Sequence, residues 1–315
     1  MNNILVTGGA GNIGSCLAKK LAKDANNFII VFDNLLTGSP KKIPKKSNVL
    51  FIKGNVNSYN DIAAVFHRFN FNYVFHFAAV VGVKRTLENP LLVLEDIKGF
   101  YNILNLCKNT NVQKVYFSSS SEVYGEPFEI PQNEHTTPLN SKLPYAIVKN
   151  LGESYLRSYE QEFGLTYAIF RFFNTYGPNQ SEDFVIPRFI KLALTNEDIT
   201  IYGDGKQTRT FCYIDDNIDT ILKIHNNKLL ENEVINIGND VEVTILDLAK
   251  MIVKLTASKS KIIHLPALED GDMSRRCPDI SKMRGILDRD LITLEYGIIK
   301  LIKFYEDRDK SSKRH

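Results

Sequence analysis

An apolar run followed by three evenly spaced glycines constrains the fold of this chain more than any other feature. Residues 4–6, Ile-Leu-Val, suit a buried parallel strand. Gly8, Gly11 and Gly14 follow, and the residues after them repeat with the period of an amphipathic helix. Glycines let a backbone approach a pyrophosphate closely, and the first N–H groups of a helix bind anions. In this order, strand, glycine loop and helix predict a nucleotide-binding α/β fold.

An aspartate at the end of the second apolar run indicates which nucleotide binds. Residues 28–32 form that run, and Asp33 follows it about 20 residues beyond the glycine loop. A carboxylate in this place accepts hydrogen bonds from the ribose hydroxyls of adenosine and repels a 2′-phosphate. The spacing therefore favours NAD over NADP, the alternative being an ordinary aspartate at a strand end.

Strand-like and helical patterns alternate over the first half of the chain. In order, they cover residues 49–52, 58–68, 73–77, 91–108, 115–118, 145–163 and 167–172. Such alternation predicts a doubly wound parallel sheet with right-handed crossovers, a Rossmann-type α/β fold. We expect an NAD-binding domain over residues 1–175, to which some later segments return.

The pattern is looser after residue 175. Helices are predicted near 184–195, 215–225, 245–256 and 293–306, and strands near 199–202, 208–213 and 234–237. Thr244 and Asp247 resemble a helix cap. We expect a smaller, mixed α/β substrate-binding domain over residues 176–307 and a disordered polar tail over 308–315.

Charge and side-chain placement argue against several classes of protein. The net charge of +3 is spread along the chain, which does not suggest binding to nucleic acid. The four cysteines lie far apart and the six histidines form no ligand-like cluster, so we expect reduced thiols and no metal site. We find neither a signal peptide nor an apolar stretch that approaches a membrane span, and a cytoplasmic protein is expected.

A tyrosine and a lysine four residues apart indicate the chemistry. Tyr145 and Lys149 would share one face of a helix. A free tyrosine has a pKa of about 10, and a nearby cation lowers it. The strand at 115–118 leads into Ser120, and catalytic groups gather at the carboxyl ends of strands in open α/β sheets. Each residue alone suits a buried ring, a solvated charge or a serine-rich loop. Together they indicate alcohol oxidation, in which a tyrosinate removes the hydroxyl proton while hydride passes to nicotinamide.

Seven short motifs stand in order along the chain. They are Thr7-Gly8-x-x-Gly11-x-x-Gly14, Phe32-Asp33-Asn34, His76-Phe77-Ala78-Ala79, the segment 118–125, Tyr145 with Lys149, Arg171-Phe172-Phe173-Asn174-Thr175-Tyr176-Gly177-Pro178, and Tyr202-Gly203-Asp204-Gly205-x-Gln207-x-Arg209. In this order they resemble the extended short-chain dehydrogenase/reductase family, specifically its nucleotide-sugar epimerases, dehydratases and decarboxylases. The resemblance covers about residues 2–305.

The resemblance implies a cofactor site, a catalytic set and a substrate site. NAD would be bound by Gly8, Gly11, Asn12, Ile13, Gly14, Asp33, Asn34, Gly38, Asn55, Val56, Phe77, Ala78, Ala79, Ser118, Tyr145, Lys149 and Phe172. The catalytic residues would be Ser120, Tyr145, Lys149 and Glu122. A nucleoside-diphosphate sugar would be bound by Ser121, Asn174, Arg209 and Arg276. Arg209 would pair with the diphosphate, a contact suited to a guanidinium fork, and Asn174 would contact the phosphates or the base.

Family members usually dimerise through helices that correspond to 95–108 and 148–163, so a homodimer is expected.

Three residues depart from the family pattern. Asn55 stands where an aspartate near the adenine is usual, and Asp96 stands where an asparagine usually precedes the helix glycine. Glu269 stands where many epimerases have a second phosphate-binding arginine. Arg276 is the candidate replacement, as in the decarboxylases, with a surface role as the alternative.

All branches of the family begin by oxidising C4 of the sugar with bound NAD, and they diverge at the residues beside Ser120. Dehydratases have Thr-Asp-Glu there, whereas this chain has Ser-Ser-Glu at 120–122, so dehydration is disfavoured. Decarboxylases have Thr/Ser-Ser-Glu and an arginine like Arg276, and epimerases need only Ser120 and Tyr145.

Release of the 4-keto sugar by a simple dehydrogenase is a fourth outcome. The cluster at 78–86 and the Lys-, Asn- and Ile-rich composition resemble enzymes of bacterial capsule pathways, which points to polysaccharide biosynthesis. A non-catalytic, NAD-binding regulator is the alternative outside the enzymes.

Overall fold

Strands and helices alternate along the part of the chain that the computed structural model describes, residues 1–266 and 275–312. The strands are β1 (Asn2–Thr7), β2 (Asn27–Asp33), β3 (Val49–Lys53), β4 (Tyr73–His76), β5 (Lys114–Ser120), β6 (Tyr167–Phe172), β7 (Thr175–Tyr176), β8 (Ile199–Tyr202), β9 (Thr208–Thr210), β10 (Cys212–Tyr213), β11 (Glu233–Ile237), β12 (Glu242–Thr244) and β13 (Ile262–Leu265). The helices are α1 (Asn12–Leu21), α2 (Tyr59–Arg68), α3 (Val83–Glu88), α4 (Pro90–Leu94), α5 (Asp96–Lys108), α6 (Pro144–Phe163), α7 (Val185–Leu194), α8 (Ile214–Asn226), α9 (Ile245–Leu255), α10 (Ser281–Leu287) and α11 (Leu294–Ser312). Short 3-10 helices cover Pro40–Lys42 and Ser121–Tyr124.

The central sheet has seven strands in the order β11-β6-β5-β4-β1-β2-β3. The five pairings from β6 to β3 are all parallel. The chain runs outward from β1 to β3 and then forms β4 on the other side of β1, so a crevice lies at the carboxyl ends of β1 and β4. Ile4, Leu5 and Val6 are all fully buried, as expected for a strand covered on both faces. The predicted doubly wound parallel sheet is confirmed.

Short strand pairs and helices make up much of the later chain. β7 pairs with β10 and β8 with β13 in parallel, whereas β9 and β12 are antiparallel. α9 begins at the predicted cap, because the Thr244 hydroxyl oxygen accepts a hydrogen bond from the Asp247 amide at 3.0 Å. This part of the chain has the predicted mixed α/β character.

The chain divides into two units that differ from the predicted domains. The first unit contains residues 1–125, 138–172 and 218–236, and the second contains 126–137, 173–217 and the chain from 237 onward. Residues 126–137, which the sequence pattern assigns to the first domain, belong to the second unit. The reason is a backbone pairing of distant residues: the Gln132 amide donates to the Cys277 carbonyl and the Asp279 amide donates to the Gln132 carbonyl, both at 2.8 Å.

Several short elements have no counterpart in the sequence prediction. α3, α10, β12 and β13 are only three to seven residues long, too short for a periodic pattern to develop. The predicted strand at 208–213 is interrupted at Phe211, and the predicted helix at 91–108 is interrupted at Glu95. Among the described residues, no helix is both long and apolar enough to cross a membrane.

The polar end of the chain corrects another expectation. α11 continues to Ser312, so residues 308–312 are helical rather than disordered. The Arg308 guanidinium lies over the Tyr305 ring, 4.8 Å from its centroid, and 3.6 Å from the Glu182 carboxylate. The contact with Glu182 joins residues that are distant in sequence and adds to the local helical preference, whereas Tyr305 lies one turn away on the same helix. Residues 313–315 lie outside the described residues.

Two glycines with positive φ angles allow a test of the turn that follows β5. Gly125 has φ +64° and an added Cβ would lie 2.1 Å from the Asn140 carbonyl oxygen, whereas Gly164 has φ +66° and open space around it. We expect Gly164→Ala to lower the free energy of unfolding by roughly 1–2 kcal/mol, the cost of a left-handed alanine. Gly125→Ala should cost about 1–3 kcal/mol more because of overpacking. Urea unfolding of both variants measures the difference, and equal losses would contradict the steric assignment.

Candidate active site

The glycine loop brings the ends of β1 and β4 and the start of α1 into backbone contact. An ideal Cβ on Gly8 would lie 2.7 Å from backbone atoms of Phe77 and Ala78. A Cβ on Gly14 would lie 2.4 Å from the Gly8 carbonyl oxygen. Side chains at these two positions would therefore force the loop apart.

The Thr7 hydroxyl fixes the end of β4 beside this loop. Its oxygen accepts hydrogen bonds from the amides of Phe77 and Ala78 at 3.1 and 3.2 Å and lies 2.9 Å from His76 Nδ1. Burial, with a smaller contribution from Lys149, lowers the pKa of His76 to about 3, so this imidazole is neutral. A neutral ring accepts the threonine proton at Nδ1, and the hydroxyl is then fully used in joining β1 to β4.

Asp33 lies at the carboxyl end of β2 with its carboxylate held by backbone amides. Oδ2 accepts from the Ala10 amide at 3.0 Å, and Oδ1 accepts from the Leu35 amide at 2.7 Å. An added Cβ on Gly38 would lie 2.8 Å from Oδ1. The carboxylate is thus buried, oriented and adjacent to the glycine loop, where the spacing places a ribose ligand.

The start of α1 fits a phosphate group. Gly11 is the N-cap residue and has no side chain to bind the first amides of the helix. The Asn12 Oδ1 atom is buried and has no hydrogen-bond partner among the described residues. A glycine cradle, an uncapped helix start and a nearby carboxylate together suit the pyrophosphate and ribose of a dinucleotide.

The other predicted cofactor residues all lie in the first unit. Ile13 is in the first turn of α1, Asn34 follows β2, Asn55 and Val56 follow β3, Phe77, Ala78 and Ala79 follow β4, Ser118 is near the end of β5, and Phe172 ends β6. They therefore line the carboxyl-terminal edge of the sheet. The Asn55 side-chain oxygen accepts a hydrogen bond from the Asn57 backbone amide at 3.1 Å. The asparagine that replaces the usual aspartate therefore stabilises the turn in which it lies. Their contact with a cofactor stays a prediction.

Lys149 is buried one helical turn after Tyr145 on α6. Its side chain is 2% exposed, and Nζ donates to the Ser118 carbonyl oxygen at 2.7 Å. Nζ lies 5.7 Å from the centroid of the Tyr145 ring and 5.0 Å from that of Phe117. Burial lowers the pKa of Lys149 to about 8, against the opposing effect of Asp96. The lysine is therefore still mainly cationic at neutral pH.

Asp96 is the acidic residue whose charge raises the pKa of Lys149. Its Oδ2 accepts from the Val80 amide at 2.7 Å, and its Oδ1 accepts from Asn57 Nδ2 at 3.3 Å. Burial raises the pKa of Asp96, while the two hydrogen bonds and Lys149 act in the opposite direction. The sequence shows the departure from asparagine at this position, but the link to Lys149 appears only in the structure.

Ser120 ends β5 and begins the short helix that carries Ser121 and Glu122. The Ser120 hydroxyl oxygen accepts from the Glu122 amide at 3.2 Å, so the serine caps this turn. Ser120 and Ser121 are both buried. Ser120, Ser121 and Glu122, three of the predicted catalytic and substrate-binding residues, are thus adjacent at the carboxyl end of β5.

Three predicted substrate residues lie in the second unit. Asn174 Nδ2 donates to the Thr210 carbonyl oxygen at 3.1 Å, and Arg209 Nη1 donates to the Thr208 carbonyl oxygen at 2.7 Å, so both are anchored at β9. Arg276 is 7% exposed.

Arg275, which precedes the buried Arg276, lies at the surface. Arg275 is an exposed residue whose guanidinium makes a forked contact with the Glu242 carboxylate, and it accounts for the surface role considered for this arginine pair. Glu269 lies outside the described residues.

The buried lysine predicts a pH-dependent effect on stability. Its pKa in the native state is about 8, below the ordinary value of 10.5, so burying the cation costs stability below pH 8 and less as the pH rises. Relative to Lys149→Met, the wild-type protein should gain about 2 kcal/mol of unfolding free energy between pH 7 and 9.5. Urea unfolding at several pH values measures this difference, with the exposed Lys53→Met as control. A difference that does not vary with pH would contradict the assignment.

Comparison with known proteins identifies the family of this chain. The family model described as "NAD dependent epimerase/dehydratase family" matches residues 4–238. The UDP-N-acetyl-alpha-D-glucosaminuronate decarboxylase of Bacillus cytotoxicus is 35% identical, with 96% of this chain and 97% of that protein covered. A putative UDP-glucose 4-epimerase of Methanocaldococcus jannaschii is 33% identical, with 98% and 100% covered.

Solved structures of nucleotide-sugar epimerases have the same fold. The UDP-glucose 4-epimerase of Thermotoga maritima, determined with UDP-glucose, has a TM-score of 0.91 and 31% identity, covering 97% of this chain and 99% of that one. The UDP-glucose 4-epimerase of Thermus thermophilus, determined with NAD, has a TM-score of 0.88 and 29% identity, covering 96% and 99%. The chain therefore belongs to the NAD dependent epimerase/dehydratase family, as its motifs predict.

Proposed function

We propose that this protein uses bound NAD to oxidise a nucleoside-diphosphate sugar at C4 and that Tyr145 is the catalytic base. The observation that carries this proposal is the buried ammonium of Lys149, one turn from Tyr145 and bonded to the strand that ends in Ser120. The ligands named for the two solved neighbours, NAD and UDP-glucose, support the choice of cofactor and substrate class.

Lys149, Tyr145 and Ser120 each have a separate role in the oxidation. The Lys149 cation favours the phenolate form of Tyr145, which takes the proton of the C4 hydroxyl. Ser120 binds the same hydroxyl and orients it. Bound NAD would supply the hydride acceptor for C4, and a 4-keto sugar and NADH would be the products of this step. Asp33, the glycine loop and the uncapped start of α1 would hold the cofactor.

We further propose that the ketone is either released, as in a 4-dehydrogenase, or re-reduced, as in a 4-epimerase. Neither outcome needs a further acid in the turn after β5, where Ser121 replaces the aspartate of dehydratases. The cluster at 78–86 resembles capsule-pathway enzymes that include a GDP-heptose 4-dehydrogenase, so GDP-heptose belongs among the substrates to be tested.

Decarboxylation is the second candidate, and the burial of Arg276 favours it. A cation sheltered from water suits a sugar carboxylate at C6, which becomes a β-keto acid once C4 is oxidised and then loses carbon dioxide readily. Ser121 and Glu122 match the decarboxylase pattern, and several relatives are uronate decarboxylases. This candidate shares the first step and differs in the substrate, a uronate, and in the loss of carbon dioxide that follows.

An apolar surface on the first unit supports a homodimer. Leu91 on α4 is 78% exposed and Tyr101 on α5 is 55% exposed, and Ile147 on α6 is also exposed. α4 and α5 both pack against α6, so the three helices form one outer layer. Large apolar side chains at the surface of such a layer are typical of a subunit interface.

Charge substitutions test the homodimer. We expect the double variant Leu91→Glu/Tyr101→Glu to be a monomer, because each glutamate would be desolvated in the interface. Light scattering after gel filtration gives the mass. Phe128→Glu changes an exposed aromatic residue of the second unit and serves as the control, which should keep the wild-type mass. A monomeric wild-type protein would disprove the dimer.

The reaction is tested by removing one hydroxyl group. Tyr145→Phe should retain NAD and lose at least about 100-fold in C4 oxidation, the usual contribution of a general base. Tyr159→Phe is the matched control, since this tyrosine lies on the same helix and its hydroxyl donates to Asn105. Full activity of Tyr145→Phe would disprove the mechanism.

Mass spectrometry of products from UDP-, GDP- and dTDP-sugars separates the outcomes of that assay. Loss of two hydrogens identifies a dehydrogenase, an isomer of unchanged mass an epimerase, loss of carbon dioxide a decarboxylase, and loss of water a dehydratase. Cofactor released on denaturation identifies NAD directly. If NAD is bound but none of these sugars reacts, the result favours the alternative of an NAD-binding regulator.

A further inference from the structure

A fully buried carboxylate joins α6 to the end of β5. Glu153 is 0% exposed and lies one turn after Lys149. Its Oε1 accepts from the Ser119 hydroxyl at 2.7 Å and from Arg171 Nε at 2.9 Å. Its Oε2 accepts from Arg171 Nη2 at 2.7 Å and from Arg157 Nη2 at 2.8 Å. Four donors therefore hold one side chain in a single orientation.

Consecutive turns of α6 bind consecutive residues of β5. Lys149 donates to the Ser118 carbonyl oxygen, and Glu153 accepts from the Ser119 hydroxyl. The next residue of the strand is Ser120, and the preceding turn of the helix carries Tyr145. Two polar tethers thus fix how far the helix can slide along the strand, and with it the separation of Ser120 from Tyr145.

Arg171 extends the same network to the turn after β5. It lies opposite Ser119 in the register of β5 and β6, and its side chain is 2% exposed. Arg171 Nη1 donates to the Tyr124 hydroxyl oxygen at 2.9 Å, and that hydroxyl donates to Asn236 Oδ1 at 2.8 Å. Tyr124 closes the short helix that carries Glu122, so this helix is also tied to the network.

The charges of the pair stabilise each other. Burial alone would raise the pKa of Glu153, but the hydrogen bonds and charge of Arg171, with Ser119 and Arg157, hold it below its ordinary value. Apolar residues of similar volume often replace buried ion pairs with little loss of stability. They could not, however, bind the hydroxyls of Ser119 and Tyr124. The polar pair therefore provides orientation that packing alone does not.

We propose that Glu153 and Arg171 are positioning residues for C4 oxidation, and that their ion pair sets the register between the tyrosine helix and the serine strand. Neither residue touches the reacting atoms. The inference rests on the function proposed above, since it assigns a role in the same reaction.

Three variants separate positioning from simple stability. Ser119→Ala leaves the ion pair intact and removes one tether. Glu153→Gln removes the charge and keeps the shape. Glu153→Gln/Arg171→Met removes both charges and should recover thermal stability lost in the single variant, because no uncompensated charge stays buried. Asp216→Asn is the matched control, since it breaks a different ion pair of a fully buried carboxylate, with Arg289, in the second unit.

We expect all three variants to keep NAD and the wild-type KM and to lose between about tenfold and 100-fold in kcat, as misplaced catalytic groups do. The control should lose thermal stability and keep its kcat below the unfolding temperature. A double variant with wild-type stability and wild-type kcat would overturn the proposal.

Hydrogen exchange gives a readout that is independent of turnover. The amides of residues 118–124 should exchange faster in Ser119→Ala and in the double variant, and at the wild-type rate in Asp216→Asn. Unchanged exchange in these variants would disprove the register. A wild-type protein that oxidises no nucleotide sugar would instead disprove the proposed function, and the exchange rates would still decide whether the two tethers fix the strand.

Discussion

Burial of one ammonium group is the constraint on which the rest of the site depends. Lys149 keeps its charge at neutral pH although its side chain is almost completely removed from water. A shift of its pKa from 10.5 to about 8 corresponds to a cost of about 3 kcal/mol at neutral pH. The Ser118 carbonyl oxygen and the charge of Asp96 offset part of the cost of removing the group from water. In the mechanism proposed for this site, function is thus supported at the expense of stability.

The fold meets this constraint with groups drawn from several parallel strands. The carboxyl ends of β1, β2, β4 and β5 supply Thr7, Asp33, His76 and Ser120, and each side chain is held by backbone amides or a neighbouring side chain. Because neighbouring parallel strands end at one edge, residues that are far apart in sequence become neighbours. At this edge, positive φ angles occur in the turns that follow the strands, as at Gly8 after β1 (φ +67°), Leu35 after β2 (φ +65°) and Gly125 after the short helix that follows β5 (φ +64°).

The sequence predicted those parts of the site that depend on local spacing. The glycine loop, Asp33 and the Tyr145–Lys149 pair are recognisable because a strand, a turn or one helical turn relates their members. The central sheet was predicted for the same reason, since each strand and helix has its own periodicity. The family followed from the order of the motifs along the chain.

Other features depend on pairings between distant residues and were not predicted. Glu153 lies four residues after Lys149, a spacing that is visible in the sequence, but its partners Ser119 and Arg171 come from two strands. Residues 126–137 belong to the second unit because their backbone pairs with residues near 278. The influence of Asp96 on Lys149 likewise depends on how α5 packs against α6. No local pattern contains this information.

The two tethers between α6 and β5 also determine which changes in chain length the protein tolerates. One residue inserted between Tyr145 and Glu153 would rotate every later side chain by about 100° around the helix axis, and Glu153 would then face away from Ser119. Side chains of α6 that do not contact β5 can be substituted, but the number of residues between Tyr145 and Glu153 cannot change. The segment between the short helix at 121–124 and Pro144 is held differently, by single backbone contacts of Gln132 with Cys277 and Asp279 and of Asn140 with Val123, so its length can change only between these contacts. Insertions and deletions should therefore be absent from the helix between Tyr145 and Glu153 and confined, before Tyr145, to the stretches between those fixed contacts.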